Sequence, residues 1–416
     1  MIKVTKAAAA IICLTRLGMG SGFSQVSAEA NVYQYLENKI SNIPASSSNV
    51  YEDPTEGQIE TWKEAFLSFV DGEYAVADGQ FSALGYRIVN ITDTETGYQF
   101  YIIEKQASSS NYWGTYAFNP KACRPNLVLQ SPHPKFDSNT GSQGAYSFLA
   151  LNAGSFFLSG VHRCNSAAAS ECSGTTSACG SNAAFRISDP AHNDQGIFHI
   201  MTELVLESNP ASVFVQYHGF GKDSGDPNAI LSNGTRETPT TDYIHLILRE
   251  MESLYPSLSY KVIHKDISWT KLTAFTNTQG RLINESQSPC IENATAASGR
   301  FIHIEQERAV FRDDAEGWDK WVKAMSLVFQ CESEALGTDA THTKLYPNPI
   351  EDCFTITGLT GTFTLQLINS LGQKVFEVSQ QDWSNVNIAT VQPGMYVYRL
   401  IDHQGKIIDY GKLVKN

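Results

Sequence analysis

Five residues that could do chemistry stand beside short apolar runs, far apart along the chain. His133 and Asp137 follow Leu127–Gln130, in Ser131-Pro132-His133-Pro134-Lys135-Phe136-Asp137. Arg163 follows Ser155–Leu158, and His218 follows Val213–Gln216. Glu305 lies inside a fourth run, Phe301-Ile302-His303-Ile304-Glu305. Neutral imidazoles with one carboxylate make an open zinc site that keeps a position for water. Zinc lowers the pKa of that water toward ~7 and polarises a carbonyl. A separate Glu then serves as general base, and a nearby Arg can hold a carboxylate or a developing oxyanion.

The elements that must position these groups are legible as patterns. Ile59, Trp62, Phe66, Phe69 and Val70 share one helix face. Tyr243, Ile247, Met251 and Leu254 make a second stripe, and Trp318, Trp321, Val322, Met325 and Phe329 a third. Strand-like runs at Tyr86–Ile91 and Gln99–Glu104 precede the four runs above. Apolar strands without alternation, separated by amphipathic helices, predict an α/β fold: a mixed, mostly parallel sheet with helices on both faces. Residues 29–331 form this domain, and 332–343, where Leu336 is the one large apolar side chain, form a linker. In open α/β sheets, functional groups collect beyond the carboxyl ends of strands, where these five residues fall. The segment 30–120 carries no recognisable chemistry and is either an extra layer or a lid.

The order and context of the five residues resemble the zinc carboxypeptidase-like superfamily, which includes N-formylglutamate amidohydrolases and poly-γ-glutamate hydrolases. The resemblance covers roughly residues 120–330. It implies a mixed α/β sheet, zinc ligation by His133, Asp137 and His218, Glu305 as catalytic base and Arg163 on substrate. One departure is the spacing: H-x-x-x-D stands here where carboxypeptidases carry H-x-x-E. Each residue also has a purely structural reading. His133 would be a solvated loop residue, His218 a turn residue, Asp137 a cap for a helix starting near Asn139. Glu305 would pair with Arg163 or Arg308. Around this set, His192 in Ser188–Asn193 either lines the pocket or replaces a ligand. Asn277 and Arg281 lie in a site-edge loop where Arg281 would grip an anionic group, or in a plain surface turn. His199 is assigned to a helix, and His162 points away from Arg163's side.

Composition narrows the alternatives. The chain has 416 residues, a net charge of −13 and 42% hydrophobic residues. The acidity argues against nucleic acid as a partner. Lys3 and Lys6 before Ala7–Leu14 read as a signal peptide over residues 1–28, with cleavage after Ser24 or Ala28. No later segment reaches the ~18 apolar residues of a membrane span. Seven cysteines follow the signal, and Cys164, Cys172 and Cys179 crowd a Ser/Ala/Gly-rich stretch. Export and the absence of C-x-x-C favour structural disulfides over metal ligation, with pairing left open. No G-x-S-x-G, H-E-x-x-H or G-x-G-x-x-G occurs.

Residues 344–416 alternate apolar and polar side chains, Phe363/Leu365/Leu367 and Met395/Val397, with Gly372 and Gly394 between runs. They form a small all-β sandwich. Tyr346-Pro347-Asn348-Pro349, Leu371-Gly372-Gln373-Lys374, Pro393-Gly394-Met395-Tyr396 and Lys412-Leu413-Val414-Lys415 occur in order. Together they resemble the C-terminal sorting domain of Bacteroidetes type IX secretion cargo. That implies a secreted or surface-attached protein with the type IX machinery as partner. The sequence therefore reads as an exported zinc hydrolase of a peptide-like amide, or alternatively as a noncatalytic surface module that binds glycan or protein. Deleting residues 344–416 should trap the protein in the periplasm; undiminished export, measured by cell fractionation, would refute the sorting assignment.

Overall fold

In the computed structural model, residues 26–331, 344–357, 359, 361–369, 373–402 and 407–416 are described. The expected linker 332–343, the leader through residue 25 and Gly372 lie outside them. The apolar runs become strands because they can bury both faces at once. They are β1 (Val26–Ala30), β2 (Tyr86–Asp93), β3 (Gln99–Lys105), β4 (Thr115–Phe118), β5 (Arg124–Ser131) and β6 (Ala153–Leu158). A two-residue hairpin, β7 (Thr175–Thr176) and β8 (Ala183–Ala184), comes next. Then follow β9 (Val213–Phe220), β10 (Ala229–Ser232), β11 (Tyr260–Val262) and β12 (Phe301–Glu307). Except for the hairpin, they make one ten-stranded sheet in the order β1-β2-β3-β4-β6-β5-β9-β12-β10-β11. Its centre, β6-β5-β9-β12, is parallel, as are β1/β2 and β10/β11. The remaining pairs are antiparallel, so the sheet is mixed and mostly parallel, as expected.

Helices cover both faces. One face carries α1 (Val32–Ser41), α4 (Thr140–Ala150), α6 (Tyr243–Leu254) and α9 (Ala315–Val328), packed on Leu127, Leu129, Val215, Ile302 and Ile304. The other carries α2 (Glu56–Val70), α3 (Tyr74–Ala83), α5 (Ile197–Ser208) and α7 (Thr278–Ile283), packed on Val128, Phe214 and Phe301. A short α8 (Arg308–Phe311) joins β12 to α9. The segment before residue 120 is neither a separate layer nor a lid: it widens the same sheet at one edge. It supplies β1 to β4 and α1 to α3, with Trp62 fully buried edge-on against Phe81, Tyr86 and Tyr116. Thr55 starts α2 with a reciprocal capping box to Gln58. Because β1 begins at Val26, signal cleavage after Ser24 would keep this edge strand, and cleavage after Ala28 would remove most of it.

The cysteines pair as structural bridges: Cys123–Cys331, Cys164–Cys179 and Cys172–Cys290. The first ties the start of β5 to the end of the domain, and the other two fasten the irregular stretch between β6 and α5. Cys353 is free and exposed.

The C-terminal segment builds β13 (Lys344–Tyr346), β14 (Cys353–Thr357), β15 (Phe363–Ile368), β16 (Lys374–Gln380), β17 (Val386–Asn387), β18 (Gly394–Ile401) and β19 (Ile407–Lys415). They form one three-stranded and one four-stranded antiparallel sheet. Leu365 and Leu367 point into its core, as expected. The β18 face runs opposite to expectation. Tyr396 and Leu400 are buried, whereas Met395 and Val397 are exposed. Two amphipathic tyrosines bring more area into the core than Met and Val do, and this sets which face turns inward.

Replacing both Cys172 and Cys290 with Ala should lower stability by roughly 2–4 kcal/mol. Urea denaturation should report it as a lower midpoint, and an unchanged midpoint would show that the bridge constrains nothing.

Candidate metal centre

The site arises from a change of chemistry along one face of three adjacent strands. On the face toward α2, α3 and α5, Val128, Phe214 and Phe301 lie in one row across the sheet. Two residues further on, that face turns polar: Gln130 pairs in register with Gln216, and Gln216 with His303. Two residues beyond these, His218 stands opposite Glu305. Strand period two thus carries an apolar core directly into a polar pocket floor.

The turn after β5 adds the other groups. The Asp137 amide donates to the His133 carbonyl at 2.9 Å, which closes one helical turn and puts both side chains on one side. His133 Nδ1 lies 3.2 Å from Asp137 Oδ2 and 3.1 Å from His218 Nδ1, and His218 Nδ1 lies 3.3 Å from Asp137 Oδ2. All three side chains are buried. Asp137 therefore does not cap the following helix, whose N-cap is Asn139.

The far sides of both imidazoles are held. His133 Nε2 meets Asp189 Oδ1 at 2.7 Å, and His218 Nε2 meets the amide oxygen of Gln216 at 3.2 Å. An acceptor at each Nε2 places the proton there and leaves a lone pair on each Nδ1. Two lone pairs and a carboxylate oxygen then face a common point. Zinc bonds of ~2.0–2.1 Å in a tetrahedron require ligand atoms about 3.3 Å apart, and the donor set fits that spacing.

Arg163 extends from the loop after β6. Its Nε and Nη2 both donate to Asp189 Oδ2, and Nη1 is 3.3 Å from His133 Nδ1. Glu305 is buried with Oε2 lacking a hydrogen-bond partner, and burial together with Asp137 pushes its pKa well up. It makes no ion pair with Arg308, which instead meets Asp313. Burial lowers His218 to about 4, so it is neutral near pH 7. Burial and Arg163 work to lower His133, but Asp189 and Asp137 together outweigh them and raise it. Asp137 is held far below the usual carboxylate range: burial would raise it, but His133 and His218 prevail.

These groups open into a cavity of about 280 Å³ lined by His133, Arg163, His192, His218, Asn277 and Glu305, among others. His192 stacks on Phe185 at 3.7 Å, with its Nδ1 3.2 Å from Asp189 Oδ1. Asn277 caps α7 through Oδ1 and donates from Nδ2 to Gln216 at 2.7 Å. Arg281 departs from expectation. It is buried outside the lining, and its guanidinium donates to Phe275, Ser173, Pro289, Cys290 and Asn293. Those bonds fasten a loop and leave no fork for an anion. His199 is buried in α5, and His162 packs edge-on against Phe136.

Three groups at the site carried no assignment in the sequence. Asp189 sits in a quoted polar loop with no periodicity to single it out. Gln216 precedes His218 by two and shares its face. His303 precedes Glu305 by two, so strand alternation alone puts it in the pocket. His303 stacks on His218 at 4.2 Å.

Residues 344–416 match the family of the secretion system C-terminal sorting domain. The protein is accordingly exported by the type IX secretion system to the cell surface or extracellular space. No curated protein matches the chain. Among solved structures it is similar to an N-formylglutamate amidohydrolase from Ralstonia eutropha JMP134, with 12% identity, 54% of this chain and 97% of that chain covered, and a TM-score of 0.32. It is also similar to a bacteriophage poly-γ-glutamate hydrolase, with 19% identity, 53% and 88% covered, and a TM-score of 0.30.

If the three donors hold zinc, Asp189→Asn should weaken that binding about 10–100-fold, the usual effect of losing a carboxylate behind a ligating imidazole. Chelator competition would measure it, and unchanged affinity would deny Asp189 this role.

Proposed function

We propose that this exported protein is a zinc-dependent hydrolase that cleaves an amide bond in a peptide-like substrate. The observation that supports this most is the convergence of His133 Nδ1, His218 Nδ1 and Asp137 Oδ2, with both Nε2 atoms committed to Asp189 and Gln216. In this reading His133, Asp137 and His218 hold the ion. Zinc, when bound, supplies a Lewis acid that acidifies water and polarises a carbonyl.

The chain's own groups handle protons and charge. Glu305 takes one proton from the attacking water as the new C–O bond forms. It delivers that proton to the nitrogen as the C–N bond breaks, so the products are a carboxylic acid and an amine. A carboxylate whose pKa is raised by burial suits both halves of this shuttle. Arg163, oriented by two bonds to Asp189, directs Nη1 at the negative charge that develops on the carbonyl oxygen. His192 and Asn277 line the space for the substrate.

Glu305→Gln should keep zinc stoichiometry while lowering kcat about 10²–10⁴-fold. His133→Ala and His218→Ala should each lose the metal, read by elemental analysis of the purified protein. A wild-type protein without zinc, inert toward a library of peptides and N-acyl amino acids, would sink this reading and favour the noncatalytic surface module.

A further inference from the structure

The pocket floor carries an imidazole that this mechanism does not use. His303 lies one layer below Glu305, between Gln216 of β9 and Ser232 of β10 in register. Its neighbours are all committed. Gln216 gives its amide hydrogens to Gln130 and Gln279 and accepts from Asn277. The Ser232 hydroxyl donates to the Thr273 carbonyl at 2.6 Å and accepts from the Gly234 amide. His303 Nδ1 is buried with no hydrogen-bond partner, and Nε2 is 3.9 Å from Glu305, too far to form one. The ring lines the cavity, and Nε2, on the Glu305 side and without a hydrogen bond, is the nitrogen a bound group can reach.

The rest of the cavity restricts what that partner can be. Among the described residues that line it, Arg163 is the one permanent cation and Glu305 the one carboxylate. Two arms of Arg163 are bound to Asp189. A substrate group with a full negative charge would be buried there without a counter-ion of its own. An apolar group would leave His303 Nε2 unpaired. The walls mix Phe185, Leu272 and Ala274 with four threonines, Thr175 and Thr176 of β7 and Thr273 and Thr276 from the loop before α7. That loop holds two non-glycine residues in the left-handed region, Leu272 at φ +57° and Ala274 at +59°. Such conformations cost free energy and persist where surrounding contacts impose them, commonly at ligand walls.

We infer that the cavity selects an uncharged, hydrogen-bonding group next to the scissile amide, such as a carboxamide, and that His303 at the floor is the residue that reads it. This rests on the zinc-hydrolase reading, and the test separates the two. The zinc-loaded full chain is titrated calorimetrically with three hydroxamates, those of N-acetylglutamine, N-acetylglutamate and N-acetylnorleucine. They share one metal-binding head and differ only in carrying a carboxamide, a carboxylate or an alkyl group. The glutamine probe should bind about tenfold or more tighter than either of the others. His303→Leu should erase that preference at unchanged zinc stoichiometry, which also reports that the variant folds. His303→Gln, which keeps a hydrogen-bonding end, should retain part of it. A glutamate or norleucine probe that binds as tightly as the glutamine probe, or a preference that survives in His303→Leu, overturns the selectivity and leaves the hydrolase reading intact. Binding of neither zinc nor any probe overturns both.

Discussion

The site hangs on one buried carboxylate. Asp189 accepts from His133 through one oxygen and from two arms of Arg163 through the other, and it touches His192 as well. It thereby sets the tautomer of one imidazole and the direction of Arg163, the one permanent cation among the described residues that line the pocket. Burying it is affordable because both oxygens are paired with charge or with N–H donors; removing one partner of such a pair typically costs ~3–5 kcal/mol. Asp189 belongs to no strand or helix. Its position comes from the irregular stretch between β6 and α5, which the Cys164–Cys179 and Cys172–Cys290 bridges fasten. Within that stretch the Ser188 hydroxyl donates to the Arg163 carbonyl, tying the two charged residues together through backbone as well as side chains.

The sheet supplies the other half by register. In the parallel trio β5, β9 and β12, every second residue faces the same helices, so a polar substitution at one depth repeats across neighbouring strands. Gln130, Gln216 and His303 form one such row, and His218 and Glu305 the next. The glutamine row separates the aromatic core from the ionisable groups. Its two glutamines are held by Thr202, Gln279 and Asn277, and Gln216 in turn meets His218 Nε2. A one-residue slip of β9 would turn Tyr217 into the pocket and His218 into the helix layer, which is why the apolar face under α4 and α9 matters to the chemistry above it.

Much of this was legible in the residues. Apolar runs without alternation announced buried parallel strands, and their polar ends announced where groups would gather. His133, Asp137, Arg163, His218 and Glu305 came together from those two facts and a family resemblance. What escaped lies where no period operates. Asp189 acts from a loop whose path depends on disulfide pairing, and pairing is a property of three dimensions. Arg281 looked free in a polar turn, yet four acceptors of its own region and the distant Ser173 enclose it. His303 is a different omission, since alternation from Glu305 already placed it. On β18 the reverse held: alternation was visible, but which face turns inward was decided by tyrosine packing.

Charge explains why these pieces need one another. Asp137 is buried against two lone pairs, and no lysine or arginine contacts its carboxylate among the described residues. At His133, Asp189 and Asp137 outweigh burial and Arg163 and raise the pKa, so a proton is held there more readily. A divalent ion would compete with that proton for the same Nδ1, so ligand deprotonation and metal capture are one equilibrium. The low value at His218, about 4, leaves that imidazole already neutral and keeps the competition confined to one ring. Glu305, one layer across, feels Asp137 as a like charge and is driven toward its protonated form. A cation at the shared point would relieve that repulsion and lower Glu305 toward the range where it can accept a proton near neutral pH. The three convergent donors and Glu305 are therefore coupled through a single charge.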